Sequence, residues 1–160
     1  MIFVITGTES FQFNRLIEKI DSMKKNGQIA DEVFIQLGSC GYIPSECKWE
    51  KWLPFSTMRE KIAGADLVIA HAGAGTTLLC LEMGKTPLIV TRRKAHGEHL
   101  DDHQVPFARM MDAHGYAIVA YDVDELPACV ERSRSYEAKA GNNGENRAGL
   151  VSFLDKWLES

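Results

Sequence analysis

Residues 70–77, with the sequence AHAGAGTT, place two glycines, two threonines and a histidine directly after a short apolar run. An apolar run followed by small residues and then by helix formers predicts a buried strand, a tight turn and a helix. The first turn of such a helix carries N–H donors without intrahelical acceptors and the positive end of the helix dipole. Gly73 and Gly75 leave room for a ligand near the backbone, and Thr76 and Thr77 add hydroxyl groups. The pattern therefore predicts a binding site for a phosphate or diphosphate.

This glycine turn differs from the common nucleotide-binding motifs. No Gly-Lys-Ser/Thr sequence follows it at the spacing of a P-loop. A dinucleotide fingerprint needs a third glycine and belongs to the first strand–helix unit, whereas this turn lies in the middle of the chain. A nucleotide-sugar also carries a diphosphate that a helix N-terminus can bind, and its binding needs neither the P-loop motif nor the third glycine. From these residues alone, glycines that only permit close packing of a strand against a helix stay an open alternative.

Composition indicates one globular domain with no electrostatic attraction to polyanions. The chain has 160 residues, of which 45% are hydrophobic, and a formal net charge of −4. This length is enough to bury a core, and the charge gives no reason to expect binding to nucleic acid or to an anionic membrane surface. The four cysteines are scattered without CxxC spacing, so we expect reduced thiols and a cytoplasmic protein.

Strand-like and helix-like segments alternate along the chain. Strands are predicted near residues 2–6, 32–37, 49–55, 67–71, 87–90 and 116–120, and helices near residues 14–26, 56–63, 76–83, 123–132 and before residue 114. This alternation predicts an α/β fold, a Rossmann-like parallel sheet flanked by helices. Ligands of such sheets bind at the carboxyl ends of the strands, which is where Gly7 and Thr8, the glycine turn and the polar residues 98–104 are all placed.

Three segments are predicted along the chain. Residues 1–132 form the α/β domain, the polar residues 133–149 form a mobile connector, and residues 150–160 form a C-terminal helix. The apolar residues of this last helix recur at helical spacing, so they need a partner surface, which is either the core of the same domain or another protein. They are Leu150, Phe153, Leu154, Trp157 and Leu158.

Several short segments together resemble the C-terminal domain of glycosyltransferase family 28, the donor-binding half of GT-B glycosyltransferases. The matching segments are ITGT at residues 5–8, QLG at 36–38, ADLVIAHAGAGT at 65–76, GKTPLIV at 84–90, GEH at 97–99 and DHQ at 102–104. The resemblance covers nearly the whole chain and is closest to the soluble donor-binding subunits of two-subunit transferases. The last two segments favour the bacterial exopolysaccharide branch of that group.

The resemblance implies a hexosyltransferase that uses a UDP-sugar donor and requires no other cofactor and no metal. It implies that residues 73–76 bind the donor diphosphate, that Thr8 reaches a phosphate, that the main chain of Phe55 contacts uracil and that Gln104 binds sugar hydroxyls. Leu79 departs from the pattern, because many GT-B donor domains have a ribose-binding glutamate there. The glycine turn and the resemblance together predict these donor-binding residues: Gly7, Thr8, Phe55, His71, Gly73, Ala74, Gly75, Thr76, Thr77, Glu98, His103 and Gln104.

The same resemblance implies that this chain holds the donor but contributes no catalytic residue, because the base of related enzymes lies in an N-terminal domain. A membrane-associated partner subunit is therefore expected to bind a lipid-linked saccharide and to hold this chain at the inner face of the membrane. The sugar implied is glucuronate, galactose or N-acetylglucosamine, and homo-oligomerisation stays open. The alternative function is a nucleotide-binding regulatory module without transferase activity.

Other polar residues near the predicted loops have two interpretations each. His71 either touches a phosphate or is hydrogen-bonded inside the turn. Arg92 and Arg93 either neutralise the charge of a diphosphate or acidic sugar, or are solvated loop residues. The histidines and carboxylates of residues 96–103 are metal-ligand types, but sugar recognition at a helix N-terminus explains them equally well, so no metal site is expected. Ser56 is predicted to cap the second helix.

Overall fold

Six parallel strands form a single sheet in the order β3-β2-β1-β4-β5-β6 in the computed structural model, which describes residues 1–136 and 144–159. The strands are β1 Ile2–Ile5, β2 Val33–Gln36, β3 Lys48–Glu50, β4 Leu67–His71, β5 Leu88–Val90 and β6 Ile118–Ala120. The helices are α1 Asn14–Lys25, α2 Phe55–Gly64, α3 Ala74–Glu82, α4 Gln104–Ala113, α5 Leu126–Ser133 and α6 Gly144–Glu159. The predicted α/β fold with a parallel sheet between helices is confirmed.

The central strands β1 and β5 are apolar along their whole length, and β4 is apolar up to its last residue, His71, because helices cover both faces of the sheet. On one face, Val4 and Ile69 belong to the same buried cluster as apolar residues of α1 and α5. On the other face, Phe3 lies in a cluster with residues of α2 and α3, and Ile89 lies in a cluster with residues of α4 and α6. Alternate residues of each strand thus serve opposite layers of the core.

A topological switch point lies between β1 and β4. From β1 the chain builds the sheet through β2 to β3, and it then returns to place β4 on the opposite side of β1, with Ile5 in register with Ala70. The loops that leave these two strands run to different faces of the sheet, so a crevice opens at their carboxyl ends. Gly7 follows β1 and the glycine turn follows β4, and the topology therefore brings the two segments together.

Two predicted boundaries near α2 were wrong. Strand β3 ends at Glu50 rather than continuing to residue 55, and Phe55 is already the first residue of α2. Pro54 precedes the helix with φ −57° and ψ 149°, which suits the residue before a first turn. Ser56 consequently lies inside the helix and is not its N-cap.

The predicted connector of residues 133–149 overlaps a helix at each end. Ser133 is the last residue of α5, and Gly144 is the first residue of α6. Residues 137–143 of that segment lie outside the described residues. Leu150 and Leu154 of α6 are buried in one cluster with Phe107 and Met111 of α4. The domain's own core thus covers these two residues of the apolar stripe. Within residues 1–136 and 144–159, no helix is long and apolar enough to span a membrane.

Leu154→Ala is expected to destabilise the protein by about 2–3 kcal/mol, because it removes buried methyl groups and leaves a cavity beside α4. Val151→Ala on the same helix is the matched control, since that side chain is 43% exposed and should change stability by less than about 0.5 kcal/mol. Urea unfolding of both variants measures the difference. Equal, small effects would mean that α6 does not belong to the cooperative core.

Candidate functional site

The first turn of α3 is open to a ligand. The first intrahelical bond is donated by the Thr77 N–H to the Gly73 carbonyl over 3.0 Å, so the N–H groups of residues 74–76 precede the hydrogen-bonded ladder. A Cβ built on Gly75 would meet no atom within 4 Å. Three N–H donors and the positive helix end therefore border free space, which is the arrangement that binds anions.

Gly73 and Gly7 have a different role from Gly75. A Cβ on Gly73 would lie 2.1 Å from Cε1 of His71, and a Cβ on Gly7 would lie 2.5 Å from Nε2 of the same ring. Gly7 also has φ +92°, a conformation that other residues rarely adopt. The imidazole thus fills the space between the two turns, and close packing explains these two glycines.

His71 is buried and neutral. Desolvation, reinforced by the positive charge of Arg92 and by His99, lowers the pKa of His71 from 6.5 to about 3. Its Nδ1 lies 3.3 Å from Nε2 of Gln104, and its Nε2 lies 3.4 Å from the hydroxyl oxygen of Thr76. Of its two interpretations, the structure supports a histidine bonded inside the turn, because both ring nitrogens have partners within the protein.

Gln36 holds the Gly7 turn in place. Its buried amide accepts a hydrogen bond from the Gly7 N–H and donates one to the Gly7 carbonyl, each over 3.2 Å. One side chain thereby satisfies both polar groups of a single glycine, whose neighbour Thr8 has an exposed side chain at the end of β1. Gln36 is not among the predicted site residues. The feature of the sequence that indicates its role is a polar amide at the carboxyl end of a buried strand, where a polar side chain is tolerated only when it is hydrogen-bonded.

Arg92 ties the loop after β1 to the loop after β5. Its side chain is only 1% exposed, although it carries a charge. The guanidinium donates to four backbone carbonyls, those of Thr6, Phe11, Gln12 and Glu98. The interpretation of Arg92 as a solvated loop residue was therefore wrong, and neutralisation of a ligand's charge by this residue stays a prediction.

Two predicted ligands have their side chains engaged elsewhere. Glu98 is fully buried, and its carboxylate accepts hydrogen bonds from Arg15 over 2.8 and 3.1 Å and from the Arg93 N–H over 2.9 Å. The Thr77 hydroxyl is buried and donates to the Gly73 carbonyl over 2.8 Å. We therefore correct the prediction that the Glu98 carboxylate and the Thr77 hydroxyl contact the ligand directly, because both buried groups are hydrogen-bonded to partners within the protein.

Gln104 and His103 border the crevice at the start of α4. The Gln104 side chain accepts from the Arg92 N–H over 3.0 Å and faces His71, so it connects the ends of β4 and β5, and its contact with sugar hydroxyls stays a prediction. His103 is exposed, and its ring centroid lies 5.0 Å from that of Trp157 in α6. Because α4 starts only at Gln104, His99 and His103 do not share a helix face.

The described residues contain no group of three or more metal-ligating side chains. His99 instead contacts two carboxylates separately, with Nε2 3.0 Å from Glu9 and Nδ1 3.3 Å from Asp101. The expectation that no metal is required stays a prediction, as does sugar recognition by the residues near α4.

Exposed aromatic side chains lie on the same edge of the sheet, after β3. Phe55 is 68% exposed and Trp52 is 47% exposed. Flat exposed rings at the edge of the sheet that holds the predicted site suit a base that can stack on them. The contact predicted for the Phe55 main chain stays a prediction, and Trp52 is a candidate outside the predicted set.

The sequence model of the glycosyltransferase family 28 C-terminal domain matches residues 1–152 of this chain. The chain is 28% identical over 173 aligned residues to the human UDP-N-acetylglucosamine transferase subunit ALG13, with 99% of this chain and 14% of the human protein covered. It is 33% identical over 66 residues to the subunit of the same name from Yarrowia lipolytica, covering 41% of this chain and 32% of that protein. The chain thus spans less than a third of either relative.

Solved structures of GT-B type proteins share the fold. The spinosyn forosaminyltransferase SpnP superposes with a TM-score of 0.60 at 15% identity, over 99% of this chain and 44% of that one. The glycosyltransferase of kitacinnamycin gives a TM-score of 0.59 at 17% identity, over 97% of this chain and 39% of that one. At these identities the likeness concerns the fold alone. Together with a family match that spans nearly the whole chain, it places this protein in the glycosyltransferase family 28 C-terminal domain family.

Proposed function

We propose that this chain is the donor-binding subunit of a UDP-sugar-dependent hexosyltransferase. The observation that carries the proposal is the open first turn of α3 at the switch point between β1 and β4. Three N–H groups and the Thr76 hydroxyl border this space, and the Thr8 side chain is exposed beside it. These groups match the charge of a diphosphate, and membership of the family makes a nucleotide-sugar the natural donor.

The same groups would stabilise the leaving UDP. As the bond between the sugar and the diphosphate breaks, negative charge grows on the diphosphate oxygens. Fixed N–H donors at a helix end stabilise that charge without rearranging, which lowers the barrier to transfer. Trp52 and Phe55 offer ring faces for uracil on the same edge of the sheet.

The sugar we propose first is N-acetylglucosamine, because the curated relatives are UDP-N-acetylglucosamine transferase subunits. Glucuronate and galactose are the other candidates, which rest on the resemblance to bacterial exopolysaccharide transferases. A lipid-linked saccharide is the proposed acceptor.

We propose further that a membrane-associated partner subunit supplies the general base and the acceptor site, at the cytoplasmic face of the membrane. Transfer needs a base that removes the proton of the acceptor hydroxyl. His71 is unsuited to this task, since its pKa is lowered to about 3 and both ring nitrogens are occupied. The name of the human relative, a transferase subunit, supports a divided enzyme.

Binding of the donor can be measured on the isolated chain. UDP, UDP-N-acetylglucosamine, UDP-glucuronate and UDP-galactose are compared with ADP and GDP by thermal shift and calorimetry. We expect stabilisation by uridine nucleotides of about 2.7 kcal/mol when the ligand is present at 100 times its Kd. Failure of every uridine nucleotide to bind at millimolar concentration would contradict the proposal. Binding without sugar transfer, even after co-expression with the partner, would favour a regulatory module.

A further inference from the structure

A chain of hydrogen bonds, two of them buried, runs from the loop after β5 to the first turn of α3. It begins at the Arg92 N–H, which can only donate and lies 3.0 Å from Oε1 of Gln104. This contact fixes which end of the amide carries oxygen. The NH₂ group of Gln104 must therefore be the atom that faces Nδ1 of His71 at 3.3 Å.

The amide orientation determines the tautomer of His71. An NH₂ group donates only, so Nδ1 has to accept, and a neutral imidazole then carries its single proton on Nε2. Nε2 lies 3.4 Å from Oγ1 of Thr76. The ring is neutral because its burial opposes a second proton.

The Thr76 hydroxyl therefore accepts a hydrogen bond from inside the protein. Its own proton cannot point back at the N–H of His71, so it is free to point toward the space at the start of α3. A diphosphate oxygen carries no proton and needs donors. A hydroxyl that donated inward would instead present its lone pairs to the anion and repel it.

We propose that His71 is a positioning residue whose Nε2–H tautomer, set by Gln104 and the Arg92 peptide, makes the Thr76 hydroxyl a hydrogen-bond donor toward the bound anion. The identity of that anion as UDP rests on the proposed function. The tautomer and the direction of the Thr76 hydroxyl do not.

The first experiment reads the tautomer directly. Nitrogen-15 NMR of histidine-labelled protein, without any nucleotide, distinguishes a protonated Nε2 from a protonated Nδ1. We expect a neutral Nε2–H ring for His71 from pH 5.5 to 8.5, and Gln104→Met should weaken that preference. A neutral Nδ1–H ring or an imidazolium in the unmodified protein would overturn the proposal, whatever the protein binds.

The second experiment tests whether His71 acts through Thr76. Binding of UDP and of inorganic pyrophosphate is measured for His71→Gln, which can keep a donor near the Nε2 position, and for His71→Asn, which can keep only the acceptor near Nδ1. We expect roughly 10-fold weaker binding for His71→Asn and for Thr76→Val, the loss of one charge-assisted hydrogen bond. His71→Gln should retain most of the affinity.

The double variant separates positioning from general structural damage. His71→Asn combined with Thr76→Val should bind no more weakly than Thr76→Val alone, because the donor that His71 orients is already absent. Effects that simply multiply would overturn the proposal. One outcome separates this proposal from the proposed function. If the protein binds pyrophosphate but not UDP, while the tautomer and the double-variant result are as expected, the proposed function is contradicted and the role of His71 is supported.

Discussion

Gly75→Leu is expected to abolish UDP binding, with at least a roughly 100-fold increase in Kd, about 2.7 kcal/mol of lost binding free energy. A side chain at this position would project into the free space beside the N–H groups of residues 74–76, since a Cβ there meets no atom within 4 Å. It would therefore occupy the volume proposed for the diphosphate. Calorimetry with UDP measures the loss.

The fold should survive this substitution. Leucine is a better helix former than glycine by about 0.5–1 kcal/mol, so the melting temperature should stay level or rise slightly. Gly149→Leu is the matched control, because Gly149 is also a helical glycine whose Cβ would enter open space. The control should gain similar stability and bind UDP normally. Normal UDP affinity in Gly75→Leu would show that the anion site lies elsewhere.

Arg92→Met is expected to destabilise the protein by about 3–5 kcal/mol, the largest stability change that we expect for a single side chain here. Methionine keeps much of the apolar volume but removes the donors that serve the carbonyls of Thr6, Phe11, Gln12 and Glu98. The bonds to the Thr6 and Glu98 carbonyls are buried, so these two carbonyls cannot turn to water when they lose their donor, and they account for most of the loss. Chemical denaturation gives the free energy of unfolding.

Arg93→Met provides the comparison at the next position. The Arg93 side chain is 40% exposed, and its Nε lies 3.4 Å from Asp102, so its removal should cost less than about 0.5 kcal/mol. Similar stability of the two variants would mean that the loops after β1 and β5 do not depend on the buried guanidinium. A selective loss in Arg92→Met would identify this residue as the side chain that holds the loop after β1 against the loop after β5.

Fold class and the position of the glycine turn between β4 and α3 were predictable from residue order. Alternating apolar runs and helical periodicities give a parallel sheet, because short connections leave few other arrangements. The glycine turn after β4 was recognisable because a buried strand, small residues and a helix follow one another within residues 67–82. The resemblance to family 28, carried by short segments spread over the chain, is confirmed by the family match to residues 1–152.

Boundaries were less predictable where local preferences compete. Ser56 is a good capping residue by type, yet the N-cap of α2 is Pro54, two residues earlier. The polar residues after Gly144 read as a connector, although they continue into α6, whose apolar residues are held by contacts with α4. Tertiary packing stabilises such helical turns, and a single sequence does not display it.

The sequence by itself determined that glycines, threonines and a histidine meet at the carboxyl ends of β1 and β4, since strand order and residue type are encoded locally. Only the tertiary structure decided the role of each. It assigned Gly73 to packing against His71, left Gly75 beside open space, and buried Arg92 among carbonyls. The reason is physical: whether a polar or small residue serves a ligand or the fold depends on what lies within about 3 Å of it, and those neighbours come from distant parts of the chain.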